Sequence, residues 1–305
     1  MKYRTHWIRI NLALLVLAFP SYAAKFPHEY RQGRIRIFYN TEGTNAVDTA
    51  DVNRNGVPDQ VEDIAKQTRA AYLLFVETLG FPDPFKTKRF RSASFLDIHL
   101  VHKSMLRFNG VAYDELQRFK RPTDPTNTLS LCFNVATSIK APSNLTPAHE
   151  FFHIIQYSIT YFKNAWYTEG MARWSEKGLG AGGLGKTSSK ATPEALFKMS
   201  YGAAETFWNP LAAMDDPIGR IPEQMVSAEL KEMTYSNGAK VLQDFRFTGW
   251  RLMREVLLEL DEMDDVAFRE LGYTQWSEAN QNSEKNNPFI LQAVMNVVRR
   301  RGHVW

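Results

Sequence analysis

Residues 146–156 read Thr146-Pro147-Ala148-His149-Glu150-Phe151-Phe152-His153-Ile154-Ile155-Gln156. On an α-helix, positions four apart share a face, so His149 and His153 can meet one metal ion while Glu150 beside them reaches a water at that ion. Thr146 as N-cap and Pro147 at the first helical position give the helix its start. Phe151, Phe152, Ile154 and Ile155 clothe the other faces, the composition of a helix buried in a core. Two histidines and a glutamate are costly there unless they are paired or hold a metal. The stretch therefore predicts a buried metal helix at the centre of the fold.

A catalytic zinc takes three protein ligands and keeps a position for water, and two histidines with one glutamate are a known set. Downstream lies Asn164-Ala165-Trp166-Tyr167-Thr168-Glu169-Gly170-Met171-Ala172-Arg173-Trp174-Ser175-Glu176. A turn between two short helices brings the later one back antiparallel, which sets Glu169 beside the histidines. Glu176, two turns on and on the same face, either supports a ligand or is itself the third one.

His-Glu-x-x-His followed by Trp166-x-x-Glu169-Gly170-x-Ala172 resembles the gluzincin branch of zinc metallopeptidases, over residues 146–176. The resemblance implies a zincin-like fold with a small twisted sheet packed on the metal helix. It also implies zinc on His149, His153 and Glu169, with Glu150 as general base. The interval from His153 to Glu169 is shorter than in thermolysin-like members, which marks a divergent group. The metzincin pattern is not met, because position 159 is Ile. Upstream, Asp51-Val52-Asn53-Arg54-Asn55-Gly56-Val57-Pro58-Asp59 is similar to a stretch of predicted secreted bacterial metalloproteases. Gluzincin-like chains often carry a Tyr followed by Gly at the start of a later helix. By that resemblance the oxyanion donor is Tyr235, with Tyr201, before Gly202, as the alternative.

Physically, residues 51–62 fit the calcium-loop pattern D-x-[DN]-x-[DN]-G-x5-E. Asp51, Asn53, Asn55 and Asp59 offer side-chain oxygens, Val57 a carbonyl, Gly56 the sharp turn, and Glu62 a bidentate carboxylate. Residues 41–50 look turn-like, so no helix enters the loop as it does in an EF-hand. The expected ion is a structural Ca2+, against the plainer reading of an Asn/Gly-rich surface turn.

Outward from these motifs, strand-like runs at 34–39, 95–101 and 128–133 come first, interrupted by one helix at about 60–79. From Pro147 the pattern turns helical, at about 147–162, 165–177, 192–206, 222–246, 248–261 and 287–300. Strands followed by helices indicate an α+β fold. The expected organisation is a signal peptide at 1–23, an N-terminal α+β part at 24–163 carrying both metal motifs, and a mainly helical part at 164–305. One of the two strand runs at 95–101 and 128–133 is expected to be the edge that receives substrate.

The chain has 305 residues, 44% of them apolar, and a formal charge of +4. Lys2, Arg4 and Arg9, the apolar run Ile8–Phe19 and the small residues before Ala23 and Ala24 form an export signal, cleaved after one of those alanines. Its removal takes three positive charges and no negative one, leaving +1 over 282 residues (305 − 23). That balance gives no ground for a nucleic-acid partner, and no later segment is long and apolar enough to span a membrane. Arg299, Arg300 and Arg301 read as the end of a helix complementing its dipole. The single cysteine, Cys132, reads as a buried small hydrophobe and excludes an internal disulfide. Gly180–Thr187 matches the phosphate-loop expression GxxxxGK[ST], but no strand precedes it and Pro193 follows, so it reads as a loop bordering the cleft. Asn144-Leu145-Thr146 fits a glycosylation acceptor and reads better as helix-capping sequence.

The combined expectation is a secreted or periplasmic zinc metallopeptidase acting on a protein or peptide. The rival reading is an inactive, metal-stabilised binding protein of the same fold. Glu150 speaks against the rival, because a structural zinc has no use for a general base.

Overall fold

A computed structural model describes residues 26–305 apart from 107, 120, 122–123 and 180–181. The expected signal segment 1–23 lies outside the described residues. The fold is α+β, a five-stranded mixed sheet with helices. Its strands are β1 (His28–Gln32), β2 (Ile35–Tyr39), β3 (Phe95–Val101), β4 (Gly110–Ala112) and β5 (Ser130–Ala136), in the spatial order β1-β2-β3-β5-β4. β2, β3 and β5 run parallel, with Ile37 opposite Ile98 and Ile98 opposite Phe133, while β1 and β4 close the two edges antiparallel.

Parallel strands buried on both faces carry continuous apolar runs. Alternation along β3 puts Leu96, Ile98 and Leu100 in the main core, and Asp97 and His99 on the opposite face. Residues on the second face form a buried polar layer. There Arg36 meets Asp97 at 2.8 Å and Asp124 at 2.6 Å, Arg121 meets Asp97 at 3.1 Å, and Cys132 Sγ lies 3.5 Å from His99 Nδ1. The lone thiol is thus buried as expected, beside an imidazole, and burial pushes its pKa up. Burial likewise drives His99 down to about 3, with the Arg121 charge adding to the effect.

The core face is covered by α1 (Asp59–Ala71), which continues as a π-helical segment at Tyr72–Thr78, and by α2 (Thr146–Ile159). Gly80, at φ +70°, takes the chain out of that segment in the left-handed region that favours glycine. α2 begins one residue before its expected start. The Asn144 side chain accepts the Thr146 N–H at 2.9 Å, and Thr146 does not act as the cap. Phe152 on α2 meets Phe75 and Phe81 edge-on at 5.4 and 5.7 Å, in a cluster completed by Trp174.

The later chain forms α3 (Ala165–Ser175), α4 (Pro193–Leu196), α5 (Asn209–Asp215), α6 (Ala228–Glu232), α7 (Trp250–Glu270), α8 (Glu278–Gln281) and α9 (Asn287–Arg300). The long helix expected at 222–246 is not there. Only α6 and a 3-10 turn occupy it, because Gly238 at φ +80° closes a tight turn in which Tyr235 N–H bonds Ala239 O. The expected helix at 192–206 is also broken, into α4 and a π-helical segment at Ala204–Trp208. Arg301 meets Asp215 and Glu255, and Arg300 meets Glu259, so two of the three terminal arginines are paired within the helical layer. No helix among the described residues is long and apolar enough to cross a membrane.

Candidate metal centre

α2 and α3 are linked by residues 160–164, and the later helices hold that link in place. Asp264 on α7 accepts the Tyr161 N–H at 2.8 Å. Asn287 on α9 accepts from Asn164 Nδ2 and Trp166 Nε1, both at 2.8 Å. Gly170 lies so close to Trp208 that a Cβ there would sit 2.7 Å from the indole, which lets α3 approach its neighbours. These contacts fix where Glu169 emerges.

His149, His153 and Glu169 converge. The two Nε2 atoms are 3.1 Å apart, and Glu169 Oε2 is 3.3 Å from His149 Nε2 and 3.5 Å from His153 Nε2. Ligand bonds of about 2.0–2.2 Å at a tetrahedral ion separate donor atoms by about 3.3–3.5 Å. The triangle has that size. Two imidazoles and a carboxylate form a donor set that suits a divalent transition-metal ion. Among the described residues this is the one set of three His, Cys, Asp or Glu side chains whose ligand atoms all lie within 4.8 Å of one another.

The far nitrogen of each imidazole is engaged. His149 Nδ1 meets Glu176 Oε1 at 2.9 Å, and His153 Nδ1 meets Gln156 Oε1 at 2.8 Å, which directs each Nε2 inward. Glu176 also takes Arg173 at 2.6 Å, and Gln156 Nε2 donates to Thr168 O on α3. Of the two roles open to Glu176, the geometry is that of a support for His149.

Electrostatics follow from this packing. Burial works to lower His149, but hydrogen bonds to Glu169 and Glu176 and the nearby charge of Glu150 carry it up to about 10. Burial works to raise Glu169, and the two imidazoles hold it well below the usual carboxylate range. Glu150 is raised by burial, against the lowering influence of both histidines.

No known family matches the chain, and no curated protein does either.

The face of the centre opens on a cleft of about 830 Å³, lined by His149, Glu150, Glu176 and Tyr201 among others. Glu150 hydrogen-bonds the backbone at Ala112 and packs on Gly110, both in β4. β4 is therefore the edge beside the centre. Neither run expected to be the receiving edge is one, since β3 lies between β2 and β5, and β5 between β3 and β4. Gly185 and Lys186 of the phosphate-loop look-alike also border the cleft, and no helix follows them until α4.

The Tyr201 ring lies tilted over His149 at 5.8 Å between centroids, its hydroxyl bonded to Glu169 and its pKa raised by burial and by Glu169. Tyr235 is not among the residues lining the cleft, which corrects the expectation placed on it. It is 3% exposed, its hydroxyl accepts from Gln67 Nε2 at 3.1 Å, and burial pushes it up to about 12. Gln67 Oε1 in turn accepts the Ala148 N–H of the α2 first turn at 3.4 Å. Tyr235 thus supports the start of the metal helix from behind. Sequence reading missed Gln67, Gln156, Asn164, Asp264 and Asn287, which are buried polar groups on separate elements with no local pattern to mark them.

The loop at residues 51–62 brings its predicted residues together at the start of α1. Asn53 and Asn55 side chains contact Glu62, while Asp51 and Asp59 accept backbone N–H groups of the loop. Residues 41–50 contain no helix, as expected.

Proposed function

We propose that the protein is a zinc-dependent metallopeptidase with a zincin-like fold, exported by its N-terminal segment and acting on protein or peptide substrates. The observation that carries this reading is the donor triangle of His149, His153 and Glu169, with Glu150 in the cleft beside it.

When bound, zinc supplies Lewis-acid chemistry, making a water more acidic and polarising a carbonyl. Glu150, whose proton affinity burial raises, takes a proton from the attacking water as its carboxylate and delivers it to the leaving amine nitrogen. The Tyr201 hydroxyl, whose raised pKa keeps it protonated, donates to the oxygen that gains charge in the tetrahedral transition state. β4 is the edge strand on the side of the centre, against which an extended peptide can add as a further strand. Met105, Phe108, Val111 and Tyr113 line an apolar hollow beside β4, suited to a large apolar side chain of that peptide.

The test is cleavage of a diverse peptide library by the zinc-loaded mature protein, read by mass spectrometry, with Glu150→Gln in parallel. The wild type is expected to cleave, and Glu150→Gln to lose about 10²–10⁴-fold in rate at unchanged zinc content. A wild-type protein that holds one zinc and cleaves nothing would falsify the proposal in favour of the inactive metal-stabilised protein.

A further inference from the structure

We propose that residues 51–62 form a binding site for one calcium ion at the start of α1, independent of the peptidase reading. The pattern puts oxygen-bearing side chains at the alternating positions such loops use. Asp51 receives the N–H groups of Asn55 and Gly56 at 3.2 and 2.8 Å, Asn53 Oδ1 that of Asn55 at 3.0 Å, and Asn55 Oδ1 that of Val57 at 2.9 Å. Each of these oxygens keeps a lone pair beyond its N–H bond. Gly56 makes the turn at φ +87°, where a side chain is strained.

Those bonds alone describe an ordinary polar turn. What points to a cation is Asp59. It is 9% exposed, and its Oδ2 is tied into the loop by the Val52 N–H at 3.1 Å. Its other oxygen, Oδ1, is buried and has no hydrogen-bond partner. A buried carboxylate oxygen left without a donor is costly, and a hard cation satisfies it with the chemistry the neighbours share. Glu62, 6% exposed, is the second buried carboxylate, its oxygens resting on the amide groups of Asn53 at 3.0 Å and Asn55 at 2.7 Å. The loop carries three carboxylates, Asp51, Asp59 and Glu62, with Arg54 as its one basic residue. A divalent ion of calcium's size and tolerance for irregular oxygen cages meets that charge better than magnesium, which demands octahedral geometry. Binding there would tie the loop to α1, whose Gln67 touches the first turn of the metal helix.

The experiment uses the full mature chain as Glu150→Gln, saturated with zinc, so that neither self-cleavage nor zinc exchange contributes. Ca2+ is titrated by calorimetry to about 10 mM, an order above the range of extracellular calcium modules. Tb3+ is titrated separately, with tyrosine excitation, since Tyr30 lies within the electrostatic reach of Glu62 and can sensitise it. One Ca2+ per chain is expected, with Tb3+ luminescence that Ca2+ displaces and Mg2+ does not. Asp59→Asn and Glu62→Gln, each checked for native circular dichroism, are expected to weaken binding at least tenfold. Absence of Ca2+ heat and of Tb3+ luminescence in the parent protein overturns the proposal. So does binding that both folded variants leave unchanged, which places the ion elsewhere. Either result leaves the zinc reading standing, and loss of peptidase activity leaves this one standing.

Discussion

Two tyrosines that look alike in sequence, each preceding a glycine or close to one, have opposite surroundings in the fold. Tyr201 is 41% exposed at the cleft against His149, whereas Tyr235 is 3% exposed behind α2. Tyr201→Phe should therefore lower kcat by about 10²-fold with KM nearly unchanged, the cost of one oxyanion donor. Tyr235→Phe should leave kcat alone and reduce stability by about 1 kcal/mol, since Gln67 Nε2 loses one acceptor and keeps Asn144 O. Steady-state kinetics and urea unfolding of both variants decide the matter, and interchanged effects would reverse the assignment. Gly110 makes a related case. A Cβ on it would stand 2.5 Å from Glu150 Oε1 and 2.7 Å from Thr146 Cγ2, so Gly110→Ala must push the Glu150 side chain aside. We expect at least a tenfold fall in kcat with zinc content retained, because displacement of the base leaves the three ligands untouched. Unaltered kinetics in Gly110→Ala would mean that Glu150 can act from another rotamer, and its packing on β4 would lose its meaning.

Helices α2 and α3 hold the centre, but α7 and α9 decide how they meet, through Asp264 and Asn287. Asp264 is pushed up to about 7, first by burial and then by Asp261 and Asp265 on its own helix, against the opposing bonds from Tyr161 N–H and Thr160. In the unfolded chain the same carboxyl titrates near 3.9. Between those values the unfolded chain releases its proton first, so rising pH favours unfolding. The penalty is absent below about pH 4 and complete above about pH 7, and amounts to a few kcal/mol. Asp264→Asn keeps an acceptor for Tyr161 and carries no proton to lose. Zinc-free urea melts should find it about as stable as wild type near pH 4 and more stable by about 2–4 kcal/mol near pH 8. Parallel pH profiles for the two proteins would exclude this account. None of this was readable from residues 146–176. The motif announced His149, His153 and Glu169 because helical spacing and a short turn are local rules. The groups that position them, Asp264 and Asn287, sit about a hundred residues away as single polar residues in amphipathic helices. β2, β3 and β5 were legible as apolar runs because they are buried on both faces. β1, with its charged sequence HEYRQ, and the three-residue β4 were not, since edge strands need little apolar surface. The helix expected at 222–246 failed at Asn237-Gly238, where turn chemistry outweighed the apolar spacing.

Across the whole molecule, the centre lies where two layers meet. α2 is buried against the sheet and α1, while α3 is held by α9 through Asn164 and Trp166 and by Trp208 of the π-helical segment, which donates to Trp166 O. An ion on His149, His153 and Glu169 therefore adds a bridge between α2 and α3 to the bonds His149–Glu176 and Gln156–Thr168 O. The supports on the outer nitrogens, Glu176 and Gln156, do not depend on the ion, so the site is built in advance and chelation should not unfold the protein. It should remove a mass-action term, about 4 kcal/mol when free zinc stands a thousandfold above its dissociation constant. For a chain of this size that lowers the thermal midpoint by roughly 10 °C. Calorimetry with and without chelator measures the shift, and circular dichroism at ambient temperature checks that the helices persist. Glu150→Gln, which leaves all three ligands in place, should show the full zinc increment, and Glu169→Ala should show little of it. If Glu169→Ala gains as much from zinc as wild type, the ion is held without α3 and does not join the two layers. If chelation unfolds the wild type at ambient temperature, the site is made by the metal and not by the side chains behind it.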